Sequence, residues 1–116
     1  MARPGVYVNK TFTALTAPGT TASVNVAGFS EITAVAFVDE LPAGSNVVLR
    51  LEGSVDGTNW FNLSTDLTVS SPVGDSVQGA FPIIKGTAAA TDARCNFVSE
   101  GGLSTGADIT FTIHAQ

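Results

Sequence analysis

Few residues in this sequence have side chains suited to acid, base or nucleophilic chemistry. The chain has one histidine, His114, and one cysteine, Cys95. Catalysis generally requires a positioned acid, base, nucleophile or metal ion. His114 lies near the chain end, where a strand gives little shelter for tuning a histidine, and Cys95 alternates with Ala93 and Phe97 as a small buried residue does. We therefore predict no catalytic residue and no enzyme activity.

The carboxylates give no better candidate for catalysis or for metal binding. Asp39 and Glu40 are adjacent, so a strand directs them to opposite faces, and Glu52 is expected to face solvent beside Arg50. The segment 56–59 has oxygen ligands at alternate positions but lacks the further carboxylates of a calcium loop. One cysteine and one histidine are too few for a zinc site. The sequence predicts no metal and no cofactor.

The composition gives no indication of a strongly charged binding site. Charged residues make up 13% of the chain and the net charge is −5, whereas an ordinary domain is about 25% charged. Nucleic-acid binding needs clustered cations, no apolar run reaches the roughly 20 residues of a membrane span, and the start lacks the apolar core of a signal peptide. We expect no nucleic-acid or membrane partner and synthesis in a cytoplasm. The basic residues are scattered: Arg3, Lys10, Arg50, Lys85 and Arg94.

Apolar and polar residues alternate with a period of two along most of the chain, which is typical of β-strands. Residues 47–51 show this most clearly, Gly53 then interrupts the inward set and indicates a β-bulge, and Pro82 indicates a sheet edge because it has no N–H. We predict an all-β fold, an antiparallel β-sandwich or jelly roll of about eight short strands. Residues 10–116 form its single domain, and residues 1–9 form an N-terminal arm or an edge strand.

Two segments are candidates for contact with other chains. Both faces of the predicted strand at 31–39 are apolar, so the strand is either central in its sheet or covered on its second face by something else. The N-terminal arm is extended and could add a strand to an adjacent subunit or become ordered on a larger assembly; the alternative is a plain first edge strand. The candidate interface residues are Arg3, Tyr7, Val8, Val35 and Phe37.

The segment 56–59 has the chemistry of a hairpin turn. Asp-Gly is a common short turn signal, and Gly57 supplies the positive φ that such turns require. Asp56 and Asn59 can bond to loop amides, and Trp60 can cover the turn with a large apolar surface. We predict that these four residues have a structural role.

This hairpin also carries a resemblance to known proteins. Residues 49–63 contain EGS followed by DGTNW, and they resemble a hairpin common in virion proteins of tailed bacteriophages. Residues 95–98 and 106–111 are similar to the last hairpin of the same small sandwiches. The resemblance implies a capsid decoration, or cement, protein on the capsid exterior, where it stabilises contacts between major capsid proteins. Its implied partners are the major capsid protein, neighbouring virion proteins and copies of itself, with a trimer favoured.

The same hairpin occurs in tail and baseplate proteins and in bacterial surface modules. A tail or baseplate protein, or a host-surface carbohydrate-binding module, is therefore the alternative. For the latter, Trp60 and Tyr7 are the aromatic candidates. Sugar platforms usually need two or three coplanar aromatic side chains, and the chain has one Trp and one Tyr, which favours Trp60 as a cover for the hairpin.

Overall fold

The computed structural model describes most of the chain. Arg3 and Tyr7, two of the candidate interface residues, lie outside the described residues. Val8 is the first residue of a strand, opposite Ala115, so the described part of the segment 1–9 belongs to that strand. The described residues are 8–16, 18–29, 31–41, 44–71, 74, 77–86, 90–101 and 108–116.

The all-β prediction is confirmed, and the described residues form ten strands where about eight were predicted. The two-residue β2 is not indicated by alternation in the sequence. None of the described residues forms a helix long and apolar enough to cross a membrane. In chain order the strands are β1 (Val8–Leu15), β2 (Gly19–Thr20), β3 (Val24–Asn25), β4 (Ile32–Leu41), β5 (Asn46–Ser54), β6 (Trp60–Asn62), β7 (Leu67–Ser70), β8 (Val77–Gly86), β9 (Asp92–Gly101) and β10 (Asp108–Ala115).

The strands form two antiparallel sheets, as a β-sandwich requires. One is a four-stranded sheet in the order β1-β10-β4-β8. The other is a six-stranded sheet in the order β2-β9-β5-β6, in which β3 also pairs with β9 and β7 also pairs with β5. Gly53 is paired in regular register with Phe61 and Ala93, so the predicted bulge at Gly53 is wrong; the irregularity in the β5–β9 pair falls between Val48 and Leu49.

The core lies between the two sheets and follows the alternation of the sequence. Along most of β4, β5, β9 and β10 apolar residues alternate and face inward, so each strand contributes one face to a continuous cluster. Cys95 belongs to this cluster and is fully buried. The largest buried side chains are Phe97, Phe111, Ile32, Leu41, Leu49, Leu51, Ile109 and Ile113.

The two sheets differ at their edges. The edges of the six-stranded sheet consist of short strands, because β2 and β3 pair with different parts of β9, and β6 and β7 with different parts of β5. Interrupted edges are poor templates for pairing with another chain. The four-stranded sheet is bounded by the longer β1 and β8, and β8 contains Pro82, which confirms the edge position predicted for that proline.

Candidate functional site

The outer face of the four-stranded sheet is apolar at its centre. β4 lies between β10 and β8, so its backbone is paired on both sides. Its inward residues Ala34, Ala36 and Val38 are fully buried, whereas Val35 and Phe37 point outward and are 36% and 41% exposed. β4, the strand with two apolar faces, is therefore internal to its sheet. Its outer face is partly exposed to solvent.

Threonines of β10 lie beside these two side chains, whereas their register partners on β8 are Pro82 and Ala80. Phe37 lies opposite Thr110, and Val35 lies opposite Thr112. The hydroxyl of Thr112 is 3.1 Å from that of Thr11 on β1. The surface therefore extends from β4 across β10 to β1. We call this surface the threonine face; its described members are Asn9, Thr11, Thr33, Val35, Phe37, Ala80, Thr110, Thr112 and His114, with Asp39 and Asp108 at one end.

The charges of the threonine face lie at its ends. Asp39 and Asp108 are directly opposite each other and both are exposed, an arrangement of like charges that disfavours the strand pair. At the other end His114 lies opposite Thr33, and Lys85 occupies the register position on the other side of Thr33. A partner of this face therefore meets an uncharged centre, an acidic end and an end that contains the histidine.

The outer face of the six-stranded sheet carries a polar network centred on Glu52. The carboxylate of Glu52 accepts hydrogen bonds from Arg94 Nε at 2.9 Å and from Asn96 Nδ2 at 3.1 Å, and Arg50 Nη1 lies 3.7 Å away. Glu52 faces the same side as Arg50, as predicted, but the prediction that it faces solvent is wrong. Its side chain is only 8% exposed, because Arg94, Asn96 and Arg50 lie around its carboxylate.

Trp60 is part of this surface. Its indole ring lies over the guanidinium of Arg94, with the guanidinium carbon 4.0 Å from the ring centroid, which is a favourable cation–π geometry. The sequence did not indicate this contact, because Trp60 and Arg94 belong to different strands on either side of β5. One face of the indole is thus occupied within the chain and is not open to a sugar ring.

The same network extends to Asp66. Arg50 donates two hydrogen bonds to its carboxylate, from Nε at 2.7 Å and from Nη2 at 3.0 Å, the bidentate geometry of a strong ion pair. These bonds hold the pKa of Asp66 below its ordinary value and raise the pKa of Arg50 above its own. Two arginines and two carboxylates therefore neutralise one another on this surface.

Asp56 and Gly57 have the geometry of a tight hairpin turn. Gly57 has a φ of 78°, and Asp56 Oδ1 accepts hydrogen bonds from the amides of Thr58 and Asn59, each at 2.8 Å. The side chain of Asn59 donates to Asp56 Oδ2 at 2.7 Å, so it bonds to Asp56 and not to a loop amide. The hydroxyl of Ser54 accepts the amide of Gly57 at 2.8 Å. These bonds connect the residues of the loop from Ser54 to Asn59.

These bonds predict a pH dependence of stability. The amides of Asn59 and Thr58 hold the pKa of Asp56 well below its ordinary value, so the stabilisation is fully present above the pKa of the unfolded chain, about 3.9, and is lost as the pH falls towards the folded value. We expect Asp56→Asn to be less stable than wild type at neutral pH and the gap to narrow below about pH 4. Urea unfolding of both proteins at neutral pH and below about pH 4 measures this difference in stability.

Asp56→Ala is the control for that measurement. Alanine removes the acceptor as well as the charge, so part of its stability deficit should persist in acid, where a protonated Asp56 still accepts hydrogen bonds. Equal gaps between Asp56→Asn and wild type at both pH values would contradict a role for the ionised carboxylate.

The described residues contain no arrangement of catalytic groups around a cavity. No pocket opens between them, and none of their His, Cys, Asp and Glu side chains form a group of three or more that could hold a metal ion. Burial raises the pKa of the Cys95 thiol to about 12, so it stays protonated and unreactive. His114 is half-buried on the threonine face. What this part of the chain offers to other molecules is surface.

The fold and its surfaces define a small antiparallel β-sandwich with one open, weakly charged sheet face. No protein-family model matches the chain, and no curated protein matches it. Among solved structures it is similar to the crystal structure of SPBc2 prophage-derived protein YomS, with 15% sequence identity, a TM-score of 0.60 and coverage of 100% of both chains. At this identity the likeness shows that the two proteins share a fold.

Proposed function

We propose that this protein is a structural virion protein of a tailed bacteriophage, and specifically a capsid decoration protein on the capsid exterior that stabilises contacts between major capsid proteins. The observation that carries the proposal is the threonine face, where Val35 and Phe37 stand exposed on a sheet surface whose centre has no charge. Such a face is stable in water when a partner covers it in the assembled state.

Two further observations support this setting. The hairpin with Asp56 and Trp60 resembles hairpins of phage virion proteins, and the whole chain shares its fold with a protein described as prophage-derived. Under this proposal the protein acts by binding neighbouring virion proteins and further copies of itself, without catalysis and without a cofactor. A tail or baseplate position is the alternative within the same setting.

A carbohydrate-binding role is less well supported. Trp60 is the single tryptophan, and Arg94 covers one face of its ring. Sugar recognition by stacking needs an open aromatic face. Retention on a polysaccharide column that is lost in Trp60→Ala, without loss of folding, would favour this role over the virion role.

The proposal is tested by binding to expanded, empty capsids of the phage that encodes the protein. We expect saturable co-sedimentation with capsids and none with isolated tails. Phe37→Asp should weaken binding by about tenfold or more, which corresponds to at least 1.4 kcal/mol, because it places a charge at the centre of the threonine face.

Phe61→Asp is the matched control for Phe37→Asp. The rings of Phe37 and Phe61 are both 41% exposed, but Phe61 lies on β6 in the other sheet, so its replacement should leave capsid binding unchanged. Binding to tails in place of capsids would favour the tail or baseplate alternative. Binding to neither would overturn the virion proposal.

A further inference from the structure

We infer that the threonine face pairs with the same face of a second copy of this chain, with the two β4 strands antiparallel. The inference rests on the proposed function and deepens it: a second copy covers the threonine face, the resulting pair binds the capsid, and Phe37→Asp weakens capsid binding by breaking the pair. A two-fold pair stands here in place of the trimer that the resemblance implies. The pairing rests on the symmetry of the face, on the distribution of its charges and on its size.

The apolar centre of the threonine face is self-complementary. Ala36 lies opposite Phe111 in the β4–β10 register, and Val35 and Phe37 lie one position to either side of Ala36. A two-fold axis between the two faces, perpendicular to the strands and at this level of the sheet, places Val35 of one copy on Phe37 of the other. The symmetry makes this contact twice, as an isologous interface requires.

The same axis gives matching contacts along β10. Thr110 and Thr112 lie one position to either side of Phe111, so each meets the other threonine of the second copy. Asp108 and His114 each lie three positions from Phe111. The axis therefore places the carboxylate of Asp108 beside the imidazole of His114 in the second copy and away from the acidic end of that copy.

The charges disfavour the arrangement in which the two β4 strands run parallel. If the axis ran parallel to the strands, Asp39 and Asp108 of both copies would meet at one end of the interface. Like charges in close contact oppose association, and each chain already carries a net charge of −5. The antiparallel arrangement separates the two acidic ends and sets each against the end that contains His114.

The face is large enough for a specific pair. β1 and β10 have eight residues each, and β4 and β8 have ten. At about 3.3 Å per residue and about 4.8 Å between strands, these strands present roughly 500 Å² per copy. Two copies would bury about 1,000 Å² in total, which is the lower limit for a specific interface.

The first experiment measures the oligomeric state of the full chain by size-exclusion chromatography with light scattering. We expect particles of two copies, or of an even multiple if further contacts join the pairs. Phe37→Asp and Thr110→Lys should each halve the mass, because each places charges on both sides of the axis. Phe61→Asp, with an equally exposed ring elsewhere (41%), should leave the mass unchanged.

The second experiment tests the orientation of the two copies with a short bismaleimide cross-linker. The antiparallel pair brings position 33 of one copy to position 39 of the other, whereas the two copies of position 39 are about 20 Å apart. Thr33→Cys/Asp39→Cys should therefore cross-link between chains, and Asp39→Cys alone should not. Cys95 is fully buried, so we expect no reaction between it and the cross-linker.

A monomer or a trimer in the wild type would overturn the inference, as would a pair that survives both Phe37→Asp and Thr110→Lys. Efficient cross-linking of Asp39→Cys alone would also overturn it, since that result requires the parallel arrangement. The proposed function has its own readout in capsid binding: a monomer that binds capsids refutes only the pairing, and a pair that does not bind capsids refutes only the proposed function.

Discussion

Arg94→Leu is expected to lower the free energy of unfolding by about 3 kcal/mol. Arg94 Nε lies 2.9 Å from Glu52 Oε1, and the Glu52 side chain is only 8% exposed. Without Arg94 this carboxylate stays in a place that water barely reaches and loses its closest positive charge. Trp60 loses the guanidinium on which it stacks. Urea unfolding of both proteins at neutral pH measures the difference.

Two further variants separate this cause from a general loss of packing. Glu52→Leu/Arg94→Leu removes both charges, and we expect the double variant to be more stable than Arg94→Leu alone, because a buried ion pair replaced as a unit leaves no unpaired charge. Arg50→Leu should cost less than Arg94→Leu, since Arg50 bonds mainly to the exposed Asp66 and lies 3.7 Å from Glu52. A double variant no more stable than Arg94→Leu would show that the unpaired carboxylate is not the cause.

Gly53→Ala is expected to destabilise the fold by about 2 kcal/mol although it adds a single methyl group. A Cβ at position 53 would lie 2.9 Å from both Cγ and Cδ1 of Leu63, which is too close for carbon atoms in contact. Gly53 is not among the glycines with positive φ, so the expected cost is steric and not conformational. Thermal or urea unfolding measures it.

A double-mutant cycle identifies Leu63 as the cause. Leu63→Ala should cost about 2 kcal/mol because it leaves a cavity at the edge of the core. Gly53→Ala/Leu63→Ala should cost about the same as Leu63→Ala alone, since the new methyl group occupies the space that the leucine vacates. Leu67, another leucine packed against the core, is the control, and Gly53→Ala/Leu67→Ala should be additive. Additivity with Leu63 would contradict the proposed clash.

Leu63 also explains why the prediction of a β-bulge at Gly53 is wrong. A glycine among inward-facing apolar residues is typical of a bulge, but it also occurs where another group approaches the backbone closely. The two cases cannot be told apart from the strand alone. Here Leu63 follows the end of β6 and returns to fill the inward position above Gly53, with its amide bonded to the carbonyl of Leu51 at 2.9 Å.

The candidate surfaces were accessible to sequence reasoning only in part. Val35 and Phe37 followed from the apolar alternation of a single strand, so they could be identified as exposed or covered by a partner. The neighbours that make them a symmetric face could not, because Thr11 and Thr112 are 101 positions apart and meet only through the order β1-β10-β4. The burial of Glu52 depends likewise on Arg94, which is 42 positions away.

An all-β sandwich with a hairpin at Asp56 and Gly57 and an edge strand at Pro82 follows from the sequence alone. The reason is that alternation, turn conformation and a missing N–H are local properties, which neighbouring residues fix. The tertiary structure decided which strands pair and in what register. Register sets which side chains from distant segments share a surface, and so it alone produced the Glu52 network and the threonine face.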